Sequence, residues 1–381
     1  MIERNLYDDD HERFRGSVRT FLDQRVGPVY EDWIDAGRPD RDLWYWAAEL
    51  GLLGIMVPTE YGGAGVESFK FNAVFTEEAS SHGYALGGLR VQVDMALPYL
   101  LAYCTEDQKR ELLPKFVSGD LAVALAMTEP DAGSDLGGIS TSARRDGDHY
   151  VVNGAKTMIS SGLLADLFLL VVRTDPHSRR DGLSILLVDA TTEGVERGRN
   201  LRKIGLQAQD LAELFFNDVV VPVDRILGEE NAGFTYLTSN LPQERLSISI
   251  ASQAAASAAV AMTVDHVKNR EAFGRPISAF QNTRFELASC STEVAAGQAI
   301  VDQAIEALDA GTLTPADAAR VKLFITEMQG RVVDRCLQLF GGYGYLTEYP
   351  IARLYSDARV TRLYGGSSEV MRLIIARDLG L

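Results

Sequence analysis

Apolar residues recur at three- and four-residue spacing through Phe14–Val26, Leu43–Leu53, Phe71–Ser81 and Leu89–Ala102, the period that lines one face of a helix. The stretch from Asp8 to about Gly119 is therefore expected to be helical. Its interruption, Pro58-Thr59-Glu60-Tyr61-Gly62-Gly63-Ala64-Gly65, is too rich in Gly and Pro to be other than a loop. Between Leu121 and Gly228 the pattern changes to apolar and β-branched runs: Leu121–Ala126, His149–Asn153, Phe168–Val172, Leu183–Val188 and Leu214–Val221. Turn clusters such as Asp146-Gly147-Asp148 separate them, which predicts an antiparallel sheet. Helical periodicity returns over 233–268, 279–310 and 314–339, with breakers at Gly274, Gly311 and Gly341. The alanines between Ala251 and Ala261 suit close helix–helix packing.

This order predicts an α+β fold: an N-terminal helical domain (1–120), a central antiparallel β domain (121–229) and a C-terminal helical bundle (230–381). Without βαβ alternation there is no Rossmann unit, so any dinucleotide must be bound by other means. The composition, 46% hydrophobic and 24% charged over 381 residues, supports sizeable cores and excludes a disordered chain. A net charge of −16 argues against nonspecific nucleic-acid binding, because a phosphate backbone would be repelled. No run approaches the roughly 18 uninterrupted apolar residues of a membrane span, and the N-terminus lacks an apolar signal core or Arg-rich transit character. No membrane association and a cytoplasmic address are the expectations. Cys104, Cys290 and Cys336 are odd in number and not spaced as ligands, so neither a disulfide framework nor a metal is expected.

Four segments carry candidate chemistry, each with a plain structural alternative. Met127-Thr128-Glu129-Pro130-Asp131-Ala132-Gly133-Ser134-Asp135 leaves the first strand with small residues that let backbone N–H groups and the Ser134 hydroxyl reach an anion; a simple turn explains it equally. Asn153–Gly162 ends a hairpin in small hydroxyl residues, with Met158 and Ile159 equally serviceable as core. Arg270-Glu271-Ala272-Phe273-Gly274-Arg275-Pro276-Ile277, with Gln281 beyond, offers a guanidinium for phosphate and an aromatic for a flat ring, or only a helix end capped by Gly274. Gln338-Leu339-Phe340-Gly341-Gly342-Tyr343-Gly344-Tyr345 closes a long helix in glycines, for capping or for close approach of a ligand.

In this order, with Leu50-Gly51-Leu52-Leu53-Gly54, Glu60-Tyr61-Gly62-Gly63 and Tyr364-Gly365-Gly366-Ser367-Ser368-Glu369, these segments resemble the acyl-CoA dehydrogenases over essentially the whole chain. The resemblance implies a C-terminal four-helix bundle, FAD between it and the β domain, and a homotetramer in which a neighbour completes each flavin site. Carried over by position, it implies that Leu125, Met127 and Thr128 line the flavin ring, Gly133 and Ser134 its pyrophosphate, and Met158 and Ser160 the ring's far side. Arg270, Phe273 and Gln281 would reach a neighbouring subunit's FAD, with Gln338, Gly341 and Gly342 near its adenosine half and Ser367 and Glu369 closing the site. Two positions depart from the family: Met158 stands where many members have Trp, and Leu206-Gln207-Ala208-Gln209-Asp210-Leu211 replaces a Ser/Thr cluster.

The family's commonest catalytic carboxylate follows the last motif's tyrosine, and here that place is Gly365. A minority, including the long-chain and isovaleryl types, carries the base on the first bundle helix, where this chain has Leu241-Pro242-Gln243-Glu244-Arg245-Leu246. Glu244 is therefore the expected base; the alternative is an acid placed in a first helical turn after Pro242. Ser134, Arg245, Gly365 and Gly366 are the expected thioester-side residues, Gly365 through its backbone N–H. The implied reaction is α,β-dehydrogenation of an acyl-CoA, flavin N5 accepting the β hydride and an electron-transferring flavoprotein reoxidising it. Two other readings stay open: the same chemistry on an acyl or aminoacyl group tethered to a carrier protein, and a flavin-free assembly protein. The polar helix Leu89-Arg90-Val91-Gln92-Val93-Asp94-Met95 hints at a short or polar acyl group, or is a solvated helix face.

Overall fold

The computed structural model describes residues 4–381. Helix α1 (Asp9–Phe21) begins five residues before the apolar spacing suggests. Asp8 caps it by accepting from the Asp10 and His11 amides, and Asp9, Asp10 and Glu12 suit the positive end of the helix dipole. There follow α2 (Tyr30–Ala36), α3 (Asp42–Glu49) and α4 (Lys70–Ser81). The segment expected as one helix over Leu89–Ala102 is three pieces: α5 (Gly87–Arg90), a π-helical turn (Val91–Ala96) and α6 (Leu97–Tyr103). Such widened turns re-aim side chains and are frequent at functional sites. Helix α7 (Glu106–Ser118) completes the N-terminal layer.

The central sheet consists of β1 (Val123–Ala126), β2 (Ser142–Asp146), β3 (His149–Ser160), β4 (Leu167–Arg173), β5 (Leu183–Asp189), β6 (Val195–Asn200) and β7 (Leu211–Pro222). It is mixed, which corrects the purely antiparallel expectation. β1 runs parallel to β4, Val123 opposite Leu167, because the β2–β3 hairpin intervenes before the chain returns. The remaining long pairings, β2–β3, β3–β7, β4–β5 and β6–β7, are antiparallel. β4 is apolar at nearly every position because both its faces are covered. Leu167, Leu169 and Val171 join the core built with Trp33, Trp44 and Phe116, whereas Phe168, Leu170 and Val172 pack with Phe216.

The C-terminal layer is α8 (Gly233–Asn269), a short hairpin β8 (Glu271–Ala272) and β9 (Arg275–Pro276), α9 (Gln281–Asp309), α10 (Pro315–Phe340), α11 (Pro350–Thr361) and α12 (Ser368–Asp378). By length and composition α8 could cross a membrane, with a mean hydropathy of 1.4 over its most apolar window, but 61% of that window is buried inside the protein. Its apolar surround is explained by α4, α9 and α10, which pack on it from different sides.

Candidate active site

Glu244 lies eleven residues inside α8, which removes the first-turn alternative for it. The helix dipole is felt only within the first turn. Its side chain is only 5% exposed, and one partner reaches it: the buried Tyr99 hydroxyl, from α6, donates to Glu244 Oε1 at 3.3 Å. Burial pushes the carboxyl up to about 7, against the opposing pull of that hydrogen bond and of Arg245. A carboxylate half-ionised near neutrality is suited to take a weakly acidic proton.

The turn Tyr364-Gly365-Gly366 is fixed by two buried cations. Arg245 Nε donates to the Gly365 carbonyl at 3.3 Å, and Lys322 Nζ donates to the carbonyls of Thr361 (3.0 Å) and Gly366 (2.7 Å). With those carbonyls turned inward, the Gly365 N–H makes no hydrogen bond among the described residues. The turn needs glycine: Gly365 has φ +63°, and a Cβ there would stand 2.4 Å from Ile248 Cδ1.

On the β domain, the two segments expected to meet a flavin are joined. Thr157 N–H donates to the Thr128 carbonyl at 2.9 Å, and Lys156 Nζ reaches the Met127 carbonyl (3.1 Å) and Glu129 Oε1 (2.7 Å). Glu129 also accepts from the Ser140 and Thr141 amides. Burial alone would raise Glu129, but Lys156 and these donors outweigh it and hold it at about 2. Burial brings Lys156 down to about 8 despite its partner, so the pair is ionised at neutral pH. The Met127–Asp135 loop is thus locked to β3.

Leu125, Met127, Thr128 and Ser160 are half-buried, whereas Gly133, Ser134 and Met158 are exposed. Met158 sits in a β-bulge at φ 56°, turned out to 54% exposure. The amides of Gly133 and Ser134 have no acceptor among the described residues. An exposed apolar edge beside free amides and a hydroxyl matches the chemistry of a flat ring carrying a pyrophosphate. The departing loop is ordered by other means: Leu206 N–H donates to the half-buried Asp357, Lys203 Nζ to the Gln209 carbonyl (2.6 Å), and Gln209 Nε2 to Ser160 Oγ (3.0 Å).

A second cluster forms at the other end of α8. Arg270 caps that helix with its guanidinium over the Tyr343 ring, 5.4 Å from the centroid, so it adjoins the segment holding Gln338, Gly341 and Gly342. Phe273 is 95% exposed, and Gln281 is exposed beside it. Arg270 is 26 residues beyond Glu244, about 39 Å along the helix at 1.5 Å per residue. One chain therefore does not bring the two clusters together. Ser367 instead caps α12 through the Val370 amide, and Glu369 is exposed in its first turn. Residues the sequence did not point to are Tyr99, Lys322 and Ser247; Arg90 and Asp94 belong to the polar helix it singled out.

Models of the N-terminal, middle and C-terminal domains of acyl-CoA dehydrogenases match residues 8–120, 124–219 and 231–380. Fold and comparisons together define a flavin-dependent oxidoreductase acting on a CH–CH bond. The chain belongs to the acyl-CoA dehydrogenase family. It is 40% identical to the mitochondrial long-chain specific acyl-CoA dehydrogenase of Sus scrofa, over 99% of this chain and 88% of that protein. The crystal structure of an acyl-CoA dehydrogenase from Geobacillus kaustophilus is 45% identical, covers 100% of both chains and superposes with a TM-score of 0.97. The prolyl acyl carrier protein oxidase AnaB is 26% identical, covers 98% of this chain and 100% of its own, and gives a TM-score of 0.91.

Proposed function

We propose that the protein is an FAD-dependent α,β-dehydrogenase of acyl-CoA thioesters, with Glu244 as the base at the α carbon. One observation carries this reading: a buried carboxyl raised to about 7 stands on α8 next to Arg245 and one turn before Ile248, the two residues that meet Gly365, and Gly365, the alternative base position, has no side chain but keeps a free N–H. The Glu244 carboxylate would take the α proton while the Gly365 N–H holds the thioester oxygen as negative charge develops there. Arg245 and Lys322 keep that N–H aimed by fixing the carbonyls around it. Leu125, Met127, Thr128, Met158 and Ser160 would hold the ring of FAD, and Gly133 and Ser134 its pyrophosphate. Bound there, FAD supplies the acceptor for the hydride of the β carbon.

The same reading includes a homotetramer and an electron-transferring flavoprotein as oxidant. The separation of about 39 Å between Glu244 and the Arg270 cluster supports the oligomer, since Arg270, Phe273, Gln281, Gln338, Gly341 and Gly342 can complete a cofactor site only in another copy. A second reading, the same chemistry on a carrier-tethered acyl group, draws on the likeness to AnaB. Anaerobic mixing with a panel of CoA thioesters tests the proposal. At least one should bleach the flavin of the parent protein, and Glu244→Gln should slow that bleaching by a factor on the order of 100 or more while thioester binding persists. Fast bleaching by the variant would remove Glu244 as the base.

A further inference from the structure

A cavity beside α8, lined on that helix by Ala251, Ser252 and Ala255, is largely apolar but carries the charged side chains of Arg90 and Asp357 in its wall. It lies between Tyr84, Arg90 and Met95 on one side and Ala251, Ser252 and Tyr364 on the other, with a volume of about 140 Å³. A void of about 150 Å³ takes benzene, so this one has room for at most about six carbon atoms, its end beside Ser160 adjoining the place proposed for the flavin ring. Gly87 lets the wall bearing Arg90 come close, because a Cβ there would overlap the Gln209 side chain at 2.0 Å.

Arg90 donates through Nε (3.3 Å) and Nη2 (3.0 Å) to one neutral acceptor, Ser247 Oγ. Its Nη1 has no acceptor among the described residues and is not sealed off by protein atoms. Asp94 stands behind Ser247, its oxygens taken by Ser247 Oγ and by Asn72 Nδ2 at 2.9 Å. Asp357, at the far wall, accepts from the Leu206 amide and faces the cations of Arg353 and Lys203. Ser252 Oγ is fully buried without a partner among the described residues. Ser247 is one turn from Glu244, about 4.5 Å along the axis, and Ser252 about 12 Å. A plain alkyl chain would desolvate the guanidinium edge without pairing it and would leave the buried Ser252 hydroxyl unpaired, which is costly.

Building on the dehydrogenase reading, we infer that Arg90, seconded by Ser252, selects a short acyl thioester whose far end carries a hydrogen-bond-accepting oxygen over the alkyl thioester of equal length. A site equipped to bond an oxygen discriminates strongly against the analogue that lacks it. A terminal carboxylate and a terminal hydroxyl share this chemistry.

The test uses the FAD-loaded protein and three six-carbon CoA thioesters: the unsubstituted ester, the ω-hydroxy ester and the monothioester of the α,ω-dicarboxylic acid. One or both oxygenated esters should exceed the plain ester in kcat/KM by about tenfold or more, and the better one identifies the oxygen group. Arg90→Met should lower kcat/KM for the preferred ester by a factor on the order of 10 to 100, while the plain ester is turned over as well or better. Arg90→Lys, which keeps the charge, should retain part of the preference. A parent protein that favours the plain ester overturns the inference, as does an Arg90→Met variant that slows all three esters equally. Those outcomes still show flavin bleaching and leave the dehydrogenase reading standing; bleaching by none of the three would overturn the inference, and bleaching by no ester of the wider panel would overturn both.

Discussion

Replacing Glu244 by Gln keeps the volume and polarity of the side chain and removes the one charge that burial penalises. Burial raises the carboxyl from its ordinary 4.5 to about 7, against Tyr99 and Arg245. At about 1.4 kcal/mol for each pH unit, that displacement amounts to about 3 kcal/mol. In the unfolded chain Glu244 ionises as pH passes 4.5, in the folded chain only as it passes about 7. Relative to a neutral Gln, the parent therefore carries no penalty below pH 4.5, accumulates one between 4.5 and 7, and carries all of it above 7. Glu244→Gln should be the more stable protein by about 3 kcal/mol at pH 8 and by about 1.4 kcal/mol at pH 5.5.

Urea unfolding at both pH values reads this directly, at matched protein concentration because assembly and FAD add to apparent stability. On the proposal that Glu244 is the base, the same group would set the rate: at pH 6 about a tenth of the carboxyl is ionised, so flavin reduction by the parent should fall about tenfold per pH unit below 7. A variant no more stable than the parent at pH 8, or equally stabilised at both pH values, would refute the burial argument even if the variant were inactive.

Tyr99→Phe removes the hydroxyl that donates to Glu244 Oε1, so the acidic limb of the pH–rate profile should move up by about one pH unit or less. Lys156→Met strands Glu129 in the interior and should destabilise the fold by about 3–5 kcal/mol in urea unfolding, with Glu129→Gln in the same chain recovering part of the loss. Arg270→Ala alters an exposed side chain and should leave the circular dichroism spectrum unchanged while FAD is lost more readily on dilution; full retention would detach Arg270 from the cofactor.

How much was legible follows from how local each signal is. The long helices α8, α9 and α10 end within two residues of the sequence reading; Gly311 and Gly341 adopt the positive φ that ends α9 and α10, whereas α8 ends at the extended Arg270 and Gly274 turns the β8–β9 hairpin. β4 and β5 were visible because two covered faces leave an unbroken apolar run. β2 and β6, with sequences Ser-Ala-Arg-Arg-Asp and Val-Glu-Arg-Gly-Arg-Asn, were not, since largely exposed strands need no apolar pattern. The parallel β1–β4 pairing was equally hidden, being set by where the chain returns. At the site, Glu244 and the free amide of Gly365 could be anticipated from motifs. Tyr99 and Lys322 reach it from 145 and 78 positions away from Glu244, and a pairing across such distances leaves no trace in either local pattern; Arg90 was visible only as a polar position on its helix.

The vacated base position is itself a structural commitment, which a swap of the two residues brings out. Gly365 at φ +63° would strain any other residue by roughly 1–2 kcal/mol, and a Cβ would press on Ile248 Cδ1 at 2.4 Å and touch Lys322 Cε at 3.4 Å. Relief by moving the turn would pull the Gly365 and Gly366 carbonyls off Arg245 and Lys322 and swing the Gly365 N–H out of line. The double variant Glu244→Gly with Gly365→Glu should therefore recover little flavin reduction, although both positions border the same site. Adding Ile248→Ala removes the nearest obstructing atoms and should raise the recovered rate. Substantial recovery with Ile248 intact would mean that the turn is not held by its two cations, and that glycine at 365 reflects only a base that moved elsewhere.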